Sequence, residues 1–156
     1  MKKYTYIIAM IILPLLSSSC LKDGLDEIEY STECDITDVD FEHRWAVESD
    51  VEGIWTLKFK EMDVVRNIDL ENQVVSVDIT VPAADNSFPQ NERDKVSLSS
   101  LACSFFVSKA AKVIPLDGAP QLGTLGDYSA KSFRYRVTSA SGISKDWQIK
   151  INSFNK

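Results

Sequence analysis

The chain has 156 residues, 44% of them hydrophobic and 26% charged, which suits one ordinary globular domain and excludes a disordered chain. Its 17 Lys and Arg stand against 23 Asp and Glu, a net charge of −6. That acidic balance repels nucleic acid and anionic lipid head groups, so neither is expected as a partner through long-range electrostatics.

At the amino terminus, Lys2 and Lys3 precede an apolar run from Tyr4 to Leu16, and Ser17, Ser18 and Ser19 lead into Cys20. A run of about thirteen residues is short for a bilayer span and right for the hydrophobic region of a signal. The segment resembles the lipobox of bacterial lipoproteins, whose cysteine thiol takes a diacylglyceryl group and whose signal is cut just before it. That pattern prefers Leu, Val or Ile at the third position before the cysteine; Ser17 stands there, with Leu16 one step earlier. The resemblance implies a signal over residues 1–19, lipidation at Cys20 and attachment to a membrane by acyl chains. An ordinary secretory signal leaving a free cysteine is the alternative. Losing Lys2 and Lys3 takes the mature chain to 15 basic against 23 acidic residues, roughly −8. Behind Cys20, the group Lys22, Asp23, Asp26 and Glu27 resembles the export signal that sends lipoproteins of Gram-negative gut bacteria to the outer face of the outer membrane. Residues 20–33 also read as a solvated tether to a domain over 34–156.

From Cys34 onward the apolar pattern has period two. Val39, Phe41 and His43 alternate with Asp38, Asp40 and Glu42, and Arg44–Gly53 reads as an insert after this first strand. Trp55, Leu57 and Phe59 share one parity and are expected in the core. Val75, Val77, Ile79 and Val81 form the cleanest strand, ending at Pro82. Shorter candidates follow at Val96 and Leu98, at Cys103, Phe105 and Val107, and at Ala111 and Val113. A final hairpin sets Phe133, Tyr135 and Val137 against Trp147, Ile149 and Ile151 across a turn at Ser141-Gly142. A turn of helix is tolerable only within Ser99–Ala111; longer loops span Ala83–Lys95 and Leu116–Ser132. About seven or eight short strands between turn residues predict an all-β fold, a single antiparallel β-sandwich.

Five segments carry a family resemblance in their order: Ile36-Thr37-Asp38-Val39-Asp40-Phe41, Val77-Asp78-Ile79-Thr80-Val81-Pro82, Gly126-Asp127-Tyr128-Ser129, Tyr135–Gly142 and Trp147-Gln148-Ile149-Lys150-Ile151. The set is similar to immunoglobulin- or cadherin-like modules of unknown function in surface lipoproteins of Gram-negative gut bacteria, over about residues 34–152. Ser141 departs from the Asp that often precedes the turn glycine there, and Arg44–Gly53 is longer than usual.

Residues with chemical potential are few. His43 is the single histidine, so a Ser-His-Asp or Cys-His mechanism would have to use it, and its parity near a strand end suits a structural role. Cys34 and Cys103 could pair in an exported chain, or stay as small buried hydrophobes. Asp35, Asp38, Asp40 and Glu42 could hold calcium, but their alternation with apolar residues favours a solvated strand face; no metal and no cofactor is expected. Trp45, Phe88 and Tyr128, near strand ends or in loops, are the candidates for stacking on a sugar, as one exposed platform. Paired carboxylates for glycoside hydrolysis would need a cleft that so small a domain rarely builds. The expected function is a non-catalytic binding, adhesion or structural module, with a glycan or another cell-surface protein as partner. A glycan-binding accessory of polysaccharide uptake is the first alternative and a small hydrolase, using His43, the second. Mass spectrometry of the mature protein is expected to find an acylated Cys20 as its first residue; an unmodified amino terminus would contradict lipidation.

Overall fold

Alternating apolar residues become strands in the computed structural model, which describes residues 29–156. The expected signal over 1–19, the lipid-bearing Cys20 and the export residues Lys22, Asp23, Asp26 and Glu27 lie outside the described residues. In chain order the strands are β1 (Ile36–Glu48), β2 (Trp55–Glu61), β3 (Asp63–Asp69), β4 (Val74–Thr80), β5 (Leu101–Val107), β6 (Lys112–Leu116), β7 (Leu125–Gly126), β8 (Ser132–Thr138) and β9 (Ser144–Asn155). A single helical turn, α1 (Gln90–Arg93), and a 3₁₀ turn at Leu98–Ser100 lie between β4 and β5.

Two sheets pack face to face as an all-β sandwich. One has the order β2-β1-β5-β7 and the other β3-β4-β9-β8-β6. Their inner faces bury Val39 and Phe41 of β1, Val75, Val77 and Ile79 of β4, Leu101 and Cys103 of β5, Tyr135 and Val137 of β8, and Trp147 and Ile149 of β9. Each such side chain contributes about 1.5–3 kcal/mol by leaving water, so these two apolar faces dominate stability. Trp147 is fully buried and donates its indole N–H to the Cys34 carbonyl at 3.0 Å, tying the last strand to the segment before the first. Ser141 N–H donates to Ser31 O at 3.1 Å, so the same end of the sandwich is in contact with the chain from Ser31 onward.

Several elements differ from expectation. Pairing is antiparallel except between β4 and β9, which run parallel. Both strands leave turns at the same end of the sandwich, after residues 70–73 and 139–143, so they must point the same way. The strand β3 was not expected because Val64 and Val65 are adjacent and Arg66 takes an inward position opposite Val77, which breaks the alternation. The insert expected over Arg44–Gly53 instead continues β1 to Glu48 and turns into β2. The Val96 and Leu98 segment is not a strand but leads into the 3₁₀ turn at Leu98–Ser100; the α-helical turn falls at Gln90–Arg93, and of Ser99–Ala111 only Ser99 and Ser100 are helical while Leu101–Val107 is β5. The turn expected at Ser141-Gly142 is present: Gly142 has φ +91°, a left-handed conformation that needs glycine, and its N–H donates to Ser139 O at 3.0 Å.

Trp147→Ala is expected to cost about 3–5 kcal/mol in a denaturant titration, the range for emptying a large aromatic site. A loss under about 1 kcal/mol would contradict its burial.

Candidate functional site

The length of β1 sets up the site. Residues Ile36–Glu42 pair with β5, whereas Glu42–Glu48 pair with β2. Beyond β5 the two strands therefore run on as a two-stranded arm ending in the turn at 49–54, a form of marginal stability unless one face is covered. The inner face is covered. His43 stacks on Trp45 with ring centroids 5.5 Å apart and an interplanar angle of 19°, and Phe88 lies 5.7 Å from Trp45. Phe88 is held down by a tight turn in which its N–H donates to the Asp85 carboxylate at 2.8 Å, and Lys60 reaches across it to Asp85 at 2.8 Å. The Lys60 ammonium, two Ser87 contacts and the Phe88 N–H hold the Asp85 carboxyl well below the usual range.

The outer face is bare. Trp55, Leu57 and Phe59 of β2 are 63%, 64% and 60% exposed, in register with Glu48, Ala46 and Arg44 of β1. This overturns the expectation that the stripe is core. The partners in the hairpin differ in parity: inward His43 and Trp45 face Lys60 and Lys58, so the odd-numbered residues of β2 must point outward. Isolated exposed apolar residues are ordinary on protein surfaces, but three in a row on one edge strand form a contiguous patch. The turn at the tip adds exposed Val51 and Ile54. At the foot of β2 a cleft of about 450 Å³ is lined by Phe59, Lys60, Glu61, Met62, Asp63 and Pro82.

The residues expected to form a sugar platform do not form an exposed one: Trp45 and Phe88 pack against each other, but the platform is closed over. Phe88 and Tyr128 are fully buried, and Trp45 is half-buried beneath Phe88. Tyr128 lies in the main core, edge-on to Phe41 at 5.4 Å and to Phe133 at 5.2 Å. Both loops fold back onto the sandwich: Phe88 closes one over His43 and Trp45, and Tyr128 with Ala119 and Leu122 packs the other against the core. Cys34 and Cys103 are both buried free thiols, which corrects the open disulfide alternative. Cys103 is directly opposite Phe41 while Cys34 precedes Phe41 by seven positions. That separation is roughly 20 Å of strand, where a bridge needs Cα atoms within about 7 Å. Burial also pushes the Cys103 thiol up, with Asp40 adding to the effect.

The acidic row of β1 is taken up by basic partners rather than left for a cation. Arg66 bridges Asp38 at 2.8 Å and Asp40 at 2.6 Å, joining the edges of the two sheets. Arg44 pairs with Glu42, and Lys145 with Asp35 at 2.6 Å. No cluster suited to a metal ion occurs among the described residues. His43 is buried with neither ring nitrogen hydrogen-bonded; the Glu92 carboxylate lies 3.8 Å from Nε2. No serine, cysteine or aspartate is placed to work with it among the described hydrogen bonds.

Residues 36–150 match a family described as DUF5018-related. The chain is also similar to a solved structure, a "putative secreted protein" from Bacteroides fragilis, with 38% identity and a TM-score of 0.73. That match covers 80% of this chain and 98% of the other. No curated protein matches.

Burial lowers the pKa of His43, with Lys95 acting in the same direction and Glu92 opposing. The unfolded chain, with an ordinary value near 6.5, therefore takes up a proton before the folded one does. This contribution to stability is complete above that pH and is lost as pH falls through the folded value, with a slope of at most about 1.4 kcal/mol per pH unit. Because His43 is the single histidine, His43→Phe is expected to flatten the stability profile as pH falls below about 6.5. Denaturant titrations showing the same slope in both proteins would refute that origin.

Proposed function

This chain belongs to the DUF5018-related family, and we propose that it is a lipid-anchored module on the outer face of the outer membrane, immunoglobulin- or cadherin-like in build, that docks a protein without catalysis. The observation that carries this reading is the bare stripe Trp55, Leu57 and Phe59 on an arm whose opposite face is sealed. An arm stabilised on one side and apolar on the other is a rigid display element, and aromatic residues on such a surface are the usual anchors of protein contacts. Export is supported by the likeness to a Bacteroides protein described as secreted, and anchoring by the Cys20 lipobox. A non-catalytic role is supported by the sealing of His43 between Trp45, Phe88 and Glu92, with no nucleophile hydrogen-bonded to it among the described residues. A protein is favoured over a glycan because the stripe mixes Leu57 with two aromatics, and Phe88 and Tyr128, the residues suited to a sugar platform, are inside.

Single cysteines read by a membrane-impermeant maleimide test this, since Cys34 and Cys103 are buried. Val65→Cys, on the exposed face of β3, is expected to label in intact cells. Replacing Lys22, Asp23, Asp26 and Glu27 with Ala is expected to abolish that labelling. Leu57→Cys is expected to label more slowly than Val65→Cys in cells and equally fast in dilute purified protein. No labelling at 65 in intact cells would overturn surface display, and equal labelling at 57 and 65 in cells would overturn docking.

A further inference from the structure

The outward stripe lies on an unpaired edge. β2 is the terminal strand of its sheet, and the phase of its hydrogen bonds follows from the bonds at either end. Ser49 N–H donates to Ile54 O at 2.8 Å, and Met62 N–H donates to Phe41 O at 2.8 Å. Hydrogen-bonded positions alternate along an antiparallel pair, so Thr56, Lys58 and Lys60 direct their backbone groups at β1. The N–H and C=O groups of Trp55, Leu57 and Phe59 therefore point to the open edge, and no turn or loop among the described residues bonds to them. The same three residues offer apolar side chains on one face and an unfilled ladder at the edge.

We propose that the partner docked here is a second copy of this chain, with the two β2 strands paired antiparallel about a two-fold axis at Leu57. This rests on the docking function proposed above and names its partner. In that register Leu57 faces Leu57, Trp55 faces Phe59, and Thr56 faces Lys58, so no like charges are directly opposed. The directly opposed odd-numbered residues are also those whose backbone groups are free, so the ladder and the apolar stripe close together. Centring on Lys58 instead sets Lys58 against Lys58 and Trp55 against Glu61; centring on Thr56 leaves Phe59 against Gly53. Leu57 is thus the register that uses the whole stripe. An inward-pointing lysine on an edge strand commonly discourages indiscriminate pairing, and here Lys58 selects among registers.

The cleft at the foot of β2 completes the fit. Lys60 and Glu61 line it, and in this register they face Ile54 and Gly53 of the second copy. The exposed apolar tip of one arm, Val51 and Ile54, is thereby brought to the cleft of the other, twice by symmetry. Two stripes and two tips offer at most roughly 1,000 Å² to the contact, the lower limit for a specific interface. Confinement of lipid-anchored copies to a membrane raises their effective concentration and favours so small a contact.

Oxidative crosslinking in cells bearing the full chain tests the register. Leu57→Cys is expected to give a disulfide-linked dimer on a non-reducing gel, and Val65→Cys none. Trp55→Cys combined with Phe59→Cys should crosslink as well, and adding Leu57→Lys, which opposes two charges at the axis, should abolish it. Failure of both Leu57→Cys and the 55/59 pair to crosslink, while Leu57→Cys still labels slowly with maleimide, would overturn self-pairing and leave docking to another protein standing. Free labelling of Leu57→Cys without crosslinking would overturn both readings. Equal crosslinking at 57 and 65 would mark random collision and also overturn the pairing.

Discussion

The arrangement depends on β1 being nearly twice as long as β5, the strand beside it on the inner side of its sheet. A strand of 13 residues next to one of seven has to find hydrogen bonds elsewhere for its second half, and it finds them in β2. The price is a two-stranded extension that could not stand alone in water. Everything on its inner face answers that instability: Trp45 and His43 stack, Phe88 closes over them, and the Lys60–Asp85 pair fastens the covering loop.

The remainder of the sandwich holds this arm from a firm base. After β2 the chain crosses from one sheet to the other at Met62, whose N–H still bonds to Phe41, so β2 and β3 act as one bent strand along a single edge of the molecule. Arg66, just beyond the crossing, grips Asp38 and Asp40 of the opposite sheet. Charges whose spacing alone would suit calcium or plain solvation thus join the sheet edges. Parallel pairing of β4 with β9 then places the final strand in the centre of its sheet, where Trp147 is sealed and hydrogen-bonded. The arm is therefore attached to the sandwich body rather than to a loop, which fixes its orientation.

The two faces of the arm differ in character. His43 belongs to the covered face of the arm and serves as a flat packing element, held neutral by burial. Trp55, Leu57 and Phe59 belong to the open face, where all three are well exposed. One hairpin thus carries a sealed side that stabilises it and a bare apolar side open to solvent.

The apolar alternation of the chain was enough by itself to determine an all-β sandwich, the inward residues of β4, β8 and β9, and the glycine turn between the last two strands, because period two is a local property of backbone geometry. It did not determine which side of β2 faces the core. That choice depends on the length of the turn at 49–54, which sets Glu48 opposite Trp55 and so pairs odd positions with even ones. A turn longer or shorter by one residue would have reversed the outcome. Only the packed structure could therefore show that Trp55, Leu57 and Phe59 face outward, that Phe88 and Tyr128 are interior, and that Cys34 and Cys103 are far apart. Each of these is decided by residues distant in the chain, through strand register and loop closure, which no local pattern encodes.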